Sequence, residues 1–442
     1  MREPLSTSDA SMVPVNGLFG DGNATRDGSV ILHLMTTFPP LSETFVMREI
    51  RQMRAHGWNV VIGALRPLHK SPSAQGFEDL EPIVSPATWV SLDLMIGFLF
   101  FLAFRPRETW QCLRLMLKGL KDSKHFVRMI YVLLSAMRIA FRHRKSRICL
   151  VRADFIHSEA LAASFVGELL HVPFSLTVYT VFREYPEDVV KEIVHGAAFL
   201  VADTAQVSHY LANMGADQNR IHVVRNSVNL DEFPHRLAER ASGPPIVLGV
   251  ARLDPKKGFD VLISACSILR GRGVNFRCVI VGDGAERERL LIMRARLKLE
   301  DHVEMTGQLS FAEVKPWYYR ATVFAMPSVV TSEGQTDGLP TVVIEAMASG
   351  LAIVGTETAG IPEAVHEALN GFLVPANAPE ELANRLQLLL EQENLRVLFG
   401  KESRRIVETH FDLKRKAERL SSLIQQHVPM VSSGFSPVVG PQ

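Results

Sequence analysis

Short apolar runs, each closed by a polar or glycine-bearing turn and followed by a helical pattern, recur along this chain in two series. The first opens with VILHLMT at 30–36, a helical stretch at 45–56 and NVVIGAL at 59–65; further strand candidates lie at 147–156, 174–179, 199–201 and 221–224. The second series places strands at 246–250, 276–281, 323–326 and 352–354, with helices predicted at 259–270, 285–299, 311–320 and 341–349. Gly350 stops the last of these, and Pro362 opens a short helix at its favoured first position. Runs this apolar are buried on both faces, and their alternation with helices predicts an α/β fold with parallel, doubly wound sheets. Such sheets take ligands at the carboxyl ends of their strands.

A chain of 442 residues is too long for one hydrophobic core, so each series is read as its own domain. The segment 229–245, NLDEFPHRLAERASGPP, lacks a strand pattern, ends in Gly-Pro-Pro and reads as the connection. This gives an N-terminal domain at 30–228 and a second beginning at 246. Residues 1–29 lack an apolar signal core and read as a disordered leader; 428–442 read as a flexible tail. The longest apolar run, LDLMIGFLFFLAF at 92–104, is too short to span a bilayer. Cys112, Cys149, Cys266 and Cys278 stand apart in sequence with no CxxC pair, which points to a reducing compartment and a cytoplasmic protein.

Charge is distributed unevenly. Between Arg105 and Arg147 twelve basic residues face two acids, a surplus of ten in a chain of net charge +1, so the remainder carries −9. Trp110, Leu113, Leu117 and Leu120 fall on one helical stripe, with Arg114, Lys118 and Lys121 on a neighbouring one, and 126–141 repeats the pattern. This basic helical segment, 92–147, is expected to dock on an anionic inner leaflet, where lipid-linked acceptors sit. The blander reading is a solvated cover for the sheet. Nothing in the segment resembles a nucleic-acid recognition motif, and no nucleic-acid partner is expected.

The chemistry concentrates in 327–365, PSVVTSEGQTDGLPTVVIEAMASGLAIVGTETAGIPEAV. Asp337 precedes Glu345 by eight positions, and between them a Gly-Leu-Pro turn leads into a helix. The amides of Gly338 and Leu339, with the positive end of that helix, suit anionic phosphate oxygens. A carboxylate on the helix's early turns, Glu345, can accept from a vicinal diol such as ribose. Upstream, Arg252 and Lys257 flank the turn LDPK at the first strand exit of the same domain. A guanidinium fork and an ammonium together suit a diphosphate that gains charge as it leaves. Taken singly, each has an ordinary structural role; the donor-site reading rests on their combination.

These residues resemble the family-4 group of GT-B glycosyltransferases, whose signature sets two acids with seven residues between them after an Arg…Lys pair. FPPLSETFVMREI at 38–50 and the long PSVVTSEGQTDGLP loop are similar to the colanic-acid and exopolysaccharide branch. The likeness runs from about Ile31 to Phe411. It implies two facing Rossmann-like domains, the second at 246–410, and a final helix at 411–427 crossing back to the first. By the same resemblance, transfer of a sugar from a nucleotide-sugar donor retains anomeric configuration with no metal and no cofactor. The acceptor would be a polysaccharide precursor or a lipid-linked sugar, and the protein would be peripheral on the inner face of the cytoplasmic membrane. Arg252 and Lys257 would hold the diphosphate, Glu345 the ribose and Asp337 the transferred sugar. Ser42, Glu43 and Thr44 would face the cleft.

The chain departs from the family pattern in several places. Asp337 replaces the usual Glu, and Glu333 lies at the wrong spacing to substitute. In PFSLTVYTVF, Tyr179 stands where a His is usual and Phe182 where an Asp is. Asn226-Ser227-Val228-Asn229 replaces N-G-V-D. His157 remains from a pattern of two histidines, with Glu159 in the second place. Asp337, His157 and Tyr179 are therefore the catalytic candidates, with Tyr179 as a cleft-lining aromatic in the alternative. The substitutions also motivate a rival reading, a non-catalytic paralogue that binds nucleotide-sugar or a partner glycosyltransferase. A phosphorylase or epimerase on the same fold is disfavoured by the extended acidic loop.

Overall fold

Both series of apolar runs become parallel sheets in the computed structural model, which describes residues 28–38, 44–66, 80, 92–119, 123–181, 184–234, 243–332, 334, 336–358 and 360–428. The N-terminal half begins β1 (Val30–Met35), α1 (Thr44–Ala55), β2 (Asn59–Ala64) and then three successive helices, α2 (Leu92–Phe104), α3 (Pro106–Lys118) and α4 (Ser123–His143). It continues β3 (Ile148–Asp154), α5 (Ser158–Leu170), β4 (Phe174–Val178), α6 (Glu187–Gly196), β5 (Phe199–Ala202), α7 (Ala205–Asn213) and β6 (Ile221–Val223). The sheet order is β2-β1-β3-β4-β5-β6, so the chain changes direction between β1 and β3. Val30–Met35 is buried along its whole length, as a strand covered on both faces must be.

The second half runs β7 (Ile246–Val250), α8 (Phe259–Gly271), β8 (Arg277–Val281), α9 (Arg287–Arg296), β9 (Val303–Gly307), α10 (Phe311–Arg320) and β10 (Val323–Met326). It closes with α11 (Thr341–Ala348), β11 (Ile353–Thr356), β12 (Gly371–Val374), α12 (Pro379–Glu391) and α13 (Glu393–His410). Its order, β12-β11-β10-β7-β8-β9, puts the reversal between β7 and β10. That crevice is where a doubly wound sheet binds its ligand. Arg252 and Lys257 follow β7, and the acidic loop follows β10, so the two sequence clusters meet there.

The expected crossover helix is α14 (Leu413–His427), capped by the Asp412 side chain. Its apolar face, Ala417, Leu420, Leu423 and Ile424, shares one buried cluster with Ile31, Val60, Ile62 and Phe199 of the N-terminal sheet. Each large side chain buried there contributes roughly 1.5–3 kcal/mol. Outgoing and returning segments pair: Val228 donates to the Phe411 carbonyl at 3.0 Å, and Leu413 donates to that of Val228 at 3.0 Å.

Sequence reading missed some elements. Strand β9 carries Glu304 and Thr306 and is half-exposed at the sheet edge, so it lacks an apolar run. Strand β12, Gly371–Val374 at the other sheet edge, was missed as well. The run at 92–104 is helix α2, and the described part of 229–245 holds a 3-10 turn at Leu230–Glu232. Cys266 and Cys278 are free, buried thiols. The leader through residue 27, the tail from 429, Ser42, Glu43, Lys121, Phe182 and Glu333 lie outside the described residues.

Candidate active site in the interdomain cleft

Immediately after β7, a 3-10 turn at Pro255–Lys257 aims two ammonium groups at the loop that follows β10. Gly258 makes this approach possible. Its φ is +66°, and a Cβ there would stand 1.9 Å from the Pro327 carbonyl oxygen. Lys257 Nζ reaches Asp337 Oδ2 at 2.6 Å, and Lys256 Nζ reaches Oδ1 at 3.0 Å. Burial would raise the Asp337 pKa, but the two ammonium groups prevail and hold it below the ordinary range. Burial lowers that of Lys257, with Asp337 opposing. Asp337 is thus an ionised carboxylate clamped by two cations, one of which, Lys256, the sequence reading passed over. Arg252 lies at the rim, paired with Asp254 at 2.8 Å and 61% exposed. Its remaining donors are open to solvent and available to an anion.

Glu345 does not lie open at the cleft surface as the diol-acceptor reading required. It is buried on α11, where Tyr318 donates to Oε2 at 2.8 Å and Arg48 donates to Oε1 at 3.3 Å. Burial raises its pKa, and Arg48 and Tyr318 act against that shift. Arg48 comes from α1 of the other half, pairs also with Glu232 at 3.5 Å and lies over the Phe311 ring at 4.3 Å. It is an interdomain strut. A signal for it existed: Arg48 and Glu49 are adjacent charges in the middle of an otherwise apolar helical face.

The Gly338-Leu339 turn is likewise engaged. Gly338 packs on the N-terminal half so closely that a Cβ would stand 1.9 Å from the Tyr179 carbonyl oxygen. The Leu339 amide, expected to be free for phosphate, donates to Asp203 Oδ2 at 3.4 Å. Asp203 follows β5, is buried and also accepts from the Asn226 amide. Asn226 in turn donates to Thr341 Oγ1 at 2.9 Å, so the chain's N-S-V-N segment joins the two halves. Asn229 serves locally, its side chain accepting from Asp231 to cap the 3-10 turn. A carboxylate thus occupies the positive end of α11, the position an anion is expected to take.

The facing wall is aromatic. Tyr179 is 4% exposed and packs against Phe45 and Phe155 at centroid distances of 4.8 and 5.2 Å. Its hydroxyl has no hydrogen-bond partner among the described residues. Phe155 ends β3 with φ +62°, a left-handed conformation costing on the order of 1 kcal/mol for a non-glycine residue. Its ring stacks on His157 at 5.5 Å. His157 stands at the N-cap position of α5 without a side-chain capping bond, and burial, followed by Arg128, lowers its pKa. Thr44 opens α1 at the edge of this wall. Beneath lies an ionic network: Arg152 donates to Glu49 at 3.0 Å and to Thr177 at 2.8 Å, while Lys416 of α14 reaches Glu49 at 2.7 Å. Lys416 also sits 5.4 Å from the Tyr179 ring centroid. His33 and Asp154 pair alongside at 2.7 Å.

Comparison with known proteins bears on the family and the fold. Residues 233–406 match the family described as "Glycosyl transferases group 1". The putative colanic acid biosynthesis glycosyltransferase WcaL of Escherichia coli K12 is 38% identical over 217 residues, 49% of this chain and 53% of that protein. The amylovoran biosynthesis glycosyltransferase AmsK of Erwinia amylovora is 33% identical over 218 residues, 49% of this chain and 54% of that one. The chain therefore spans about half the length of the curated relatives it matches. Among solved structures, Anabaena Alr3699/HepE in complex with UDP superposes with a TM-score of 0.70 at 15% identity, covering 90% of this chain and 100% of that one. Sucrose-phosphate synthase from Thermosynechococcus elongatus gives 0.68 at 19% identity, covering 90% and 98%. The two facing parallel sheets are the GT-B fold, and residues 233–406 match the group 1 glycosyl transferase family.

Proposed function

We propose that the chain is a retaining, metal-independent hexosyltransferase that moves a sugar from a nucleotide-sugar donor to a polysaccharide-precursor or lipid-linked acceptor. The observation that carries the reading is the convergence of Arg252, Lys256, Lys257 and Asp337 at the β7/β10 crevice, opposite the aromatic wall at Tyr179. In this reading the donor diphosphate lies against Arg252 and the two lysines, while Asp203 keeps the Leu339 amide at the start of α11. Asp337 anchors the transferred sugar, and Glu345 takes the ribose diol in exchange for its 3.3 Å contact with Arg48. The bond from the anomeric carbon to the diphosphate oxygen breaks as the acceptor oxygen bonds to that carbon on the same face. The acceptor proton passes to the leaving phosphate, so no protein nucleophile is required. The cations supply what the step most needs, stabilisation of charge growing on the leaving group.

The WcaL and AmsK names support an exopolysaccharide pathway, and the bound UDP of the HepE structure supports a nucleotide-sugar donor. Among the described residues no helix is long and apolar enough to cross a membrane, which fits a cytoplasmic, peripheral enzyme. The rival, a non-catalytic nucleotide-sugar binder, draws on one observation, the Tyr179 hydroxyl left without a partner where the family carries a His. A nucleotide-sugar panel screened by thermal stabilisation, then by turnover with native membrane extract, separates the two. Donor binding with transfer supports the enzyme, and binding without transfer supports the rival.

A further inference from the structure

We propose that the outer stripe of α2, and not the cationic face of α3, is the seat of this protein on an anionic bilayer leaflet. The inference rests on the membrane-side reading above and adds the face that makes the contact. Helix α2 buries Leu94, Gly97 and Phe101 against the rest of the N-terminal half. Gly97 lets it lie close on α4, where a Cβ would meet the Met137 carbonyl oxygen at 3.2 Å. The opposite side leaves Leu92 (71%), Met95, Ile96, Leu99 (56%) and Leu102 open to solvent, spaced as one face of a helix. These side chains form one contiguous aliphatic stripe, not singly scattered apolar residues.

Cations border this stripe. Arg105, 3.7 Å from Glu108, and Arg107 follow its end; Arg144 lies 3.9 Å from the Phe141 ring centroid and 5.7 Å from that of Phe100; Arg142 stands in the last turn of α4 and Lys145 just beyond it. Trp110, 63% exposed, stands on α3 one turn beyond Arg107. Aliphatic side chains flanked by arginines and a tryptophan match the boundary between acyl chains and anionic headgroups. At 13 residues the helix is about 20 Å long, too short to span the hydrocarbon core and suited to lying in its surface. The stripe itself measures roughly 15 Å by 10 Å, far below the ~800 Å² per partner of a stable dimer. The α3 cations named from the sequence are already engaged: Arg114 reaches Glu192 at 3.1 Å, and Lys118 pairs with the same carboxylate.

The test is flotation of the full chain with phosphatidylcholine vesicles with and without phosphatidylglycerol, for wild type and for M95E/L99E. Both positions are exposed, and an unchanged melting temperature confirms the variant's fold. The expected result is wild-type flotation on anionic vesicles, a drop of at least tenfold in bound fraction for M95E/L99E, and a smaller drop for R114Q/K118Q. The Trp110 emission should shift to the blue on vesicles, a shift missing in W110F. Wild-type flotation that M95E/L99E leaves unaltered removes the α2 seat but keeps the membrane-side reading. Absence of wild-type flotation removes both. A concentration-dependent dimer in light scattering that M95E/L99E abolishes assigns the stripe to a second copy and overturns the proposal.

Discussion

The Asp203 carboxylate and the Leu339 amide, 3.4 Å apart, join the two halves of the protein at the point where a donor phosphate is expected. Burial is the largest influence on Asp203 and raises its pKa to about 6; Lys416 and the amides of Asn226 and Leu339 oppose the rise, and Glu363 adds to it. The folded state therefore binds this proton more tightly than the unfolded chain, whose carboxyl titrates near 3.9. Stability from this group is full at low pH and declines as pH rises through about 4 to 6. D203N keeps an acceptor for the Asn226 amide but sets an NH2 group against Leu339. The melting temperature of D203N minus that of wild type should climb between pH 4 and 7. A flat difference would mean that Asp203 is not buried against α11.

Arg252→Ala removes a charge-assisted contact to the departing diphosphate. Turnover should fall about a hundredfold, equivalent to roughly 2–3 kcal/mol, with little change in melting temperature because the side chain is exposed. Steady-state kinetics with the best donor checks this.

Asp337→Ala leaves Lys256 and Lys257 side by side without their shared carboxylate. Breaking such a largely buried cluster costs about 3 kcal/mol, so this variant should lose both stability and turnover. Chemical denaturation and kinetics measured together distinguish it from Arg252→Ala, which should lose turnover alone.

Tyr179→Phe deletes a hydroxyl that has no partner among the described residues. The variant should be at least as stable as wild type and hold its nucleotide affinity; a fall in turnover of one to two decades would make the hydroxyl a partner of the sugar or acceptor. Full activity would show that only the ring, packed between Phe45 and Phe155, is used.

The alternation of apolar runs and glycine turns made the two sheets legible, because strands covered on both faces have little choice of residue. Arg252, Lys257 and Asp337 were legible because they follow strand exits in one domain. Arg48 and Asp203 were not, since each acts on the opposite half of the molecule. Pairing between Arg48 and Glu345, 297 residues apart, leaves no local spacing to read. The same holds for Lys416, whose α14 position brings it under Tyr179 only after the chain has crossed back. Acid directly after the apolar FLVA strand was the one available hint of Asp203.

The most direct test of retaining sugar transfer is proton NMR of a reaction containing a nucleotide-sugar, native membrane acceptor and a metal chelator. The account predicts release of nucleoside diphosphate and a product whose anomeric coupling matches that of the donor, both lost in Lys257→Ala. Inverted product, transfer that stops on chelation, or donor binding without transfer across all common nucleotide-sugars would contradict it.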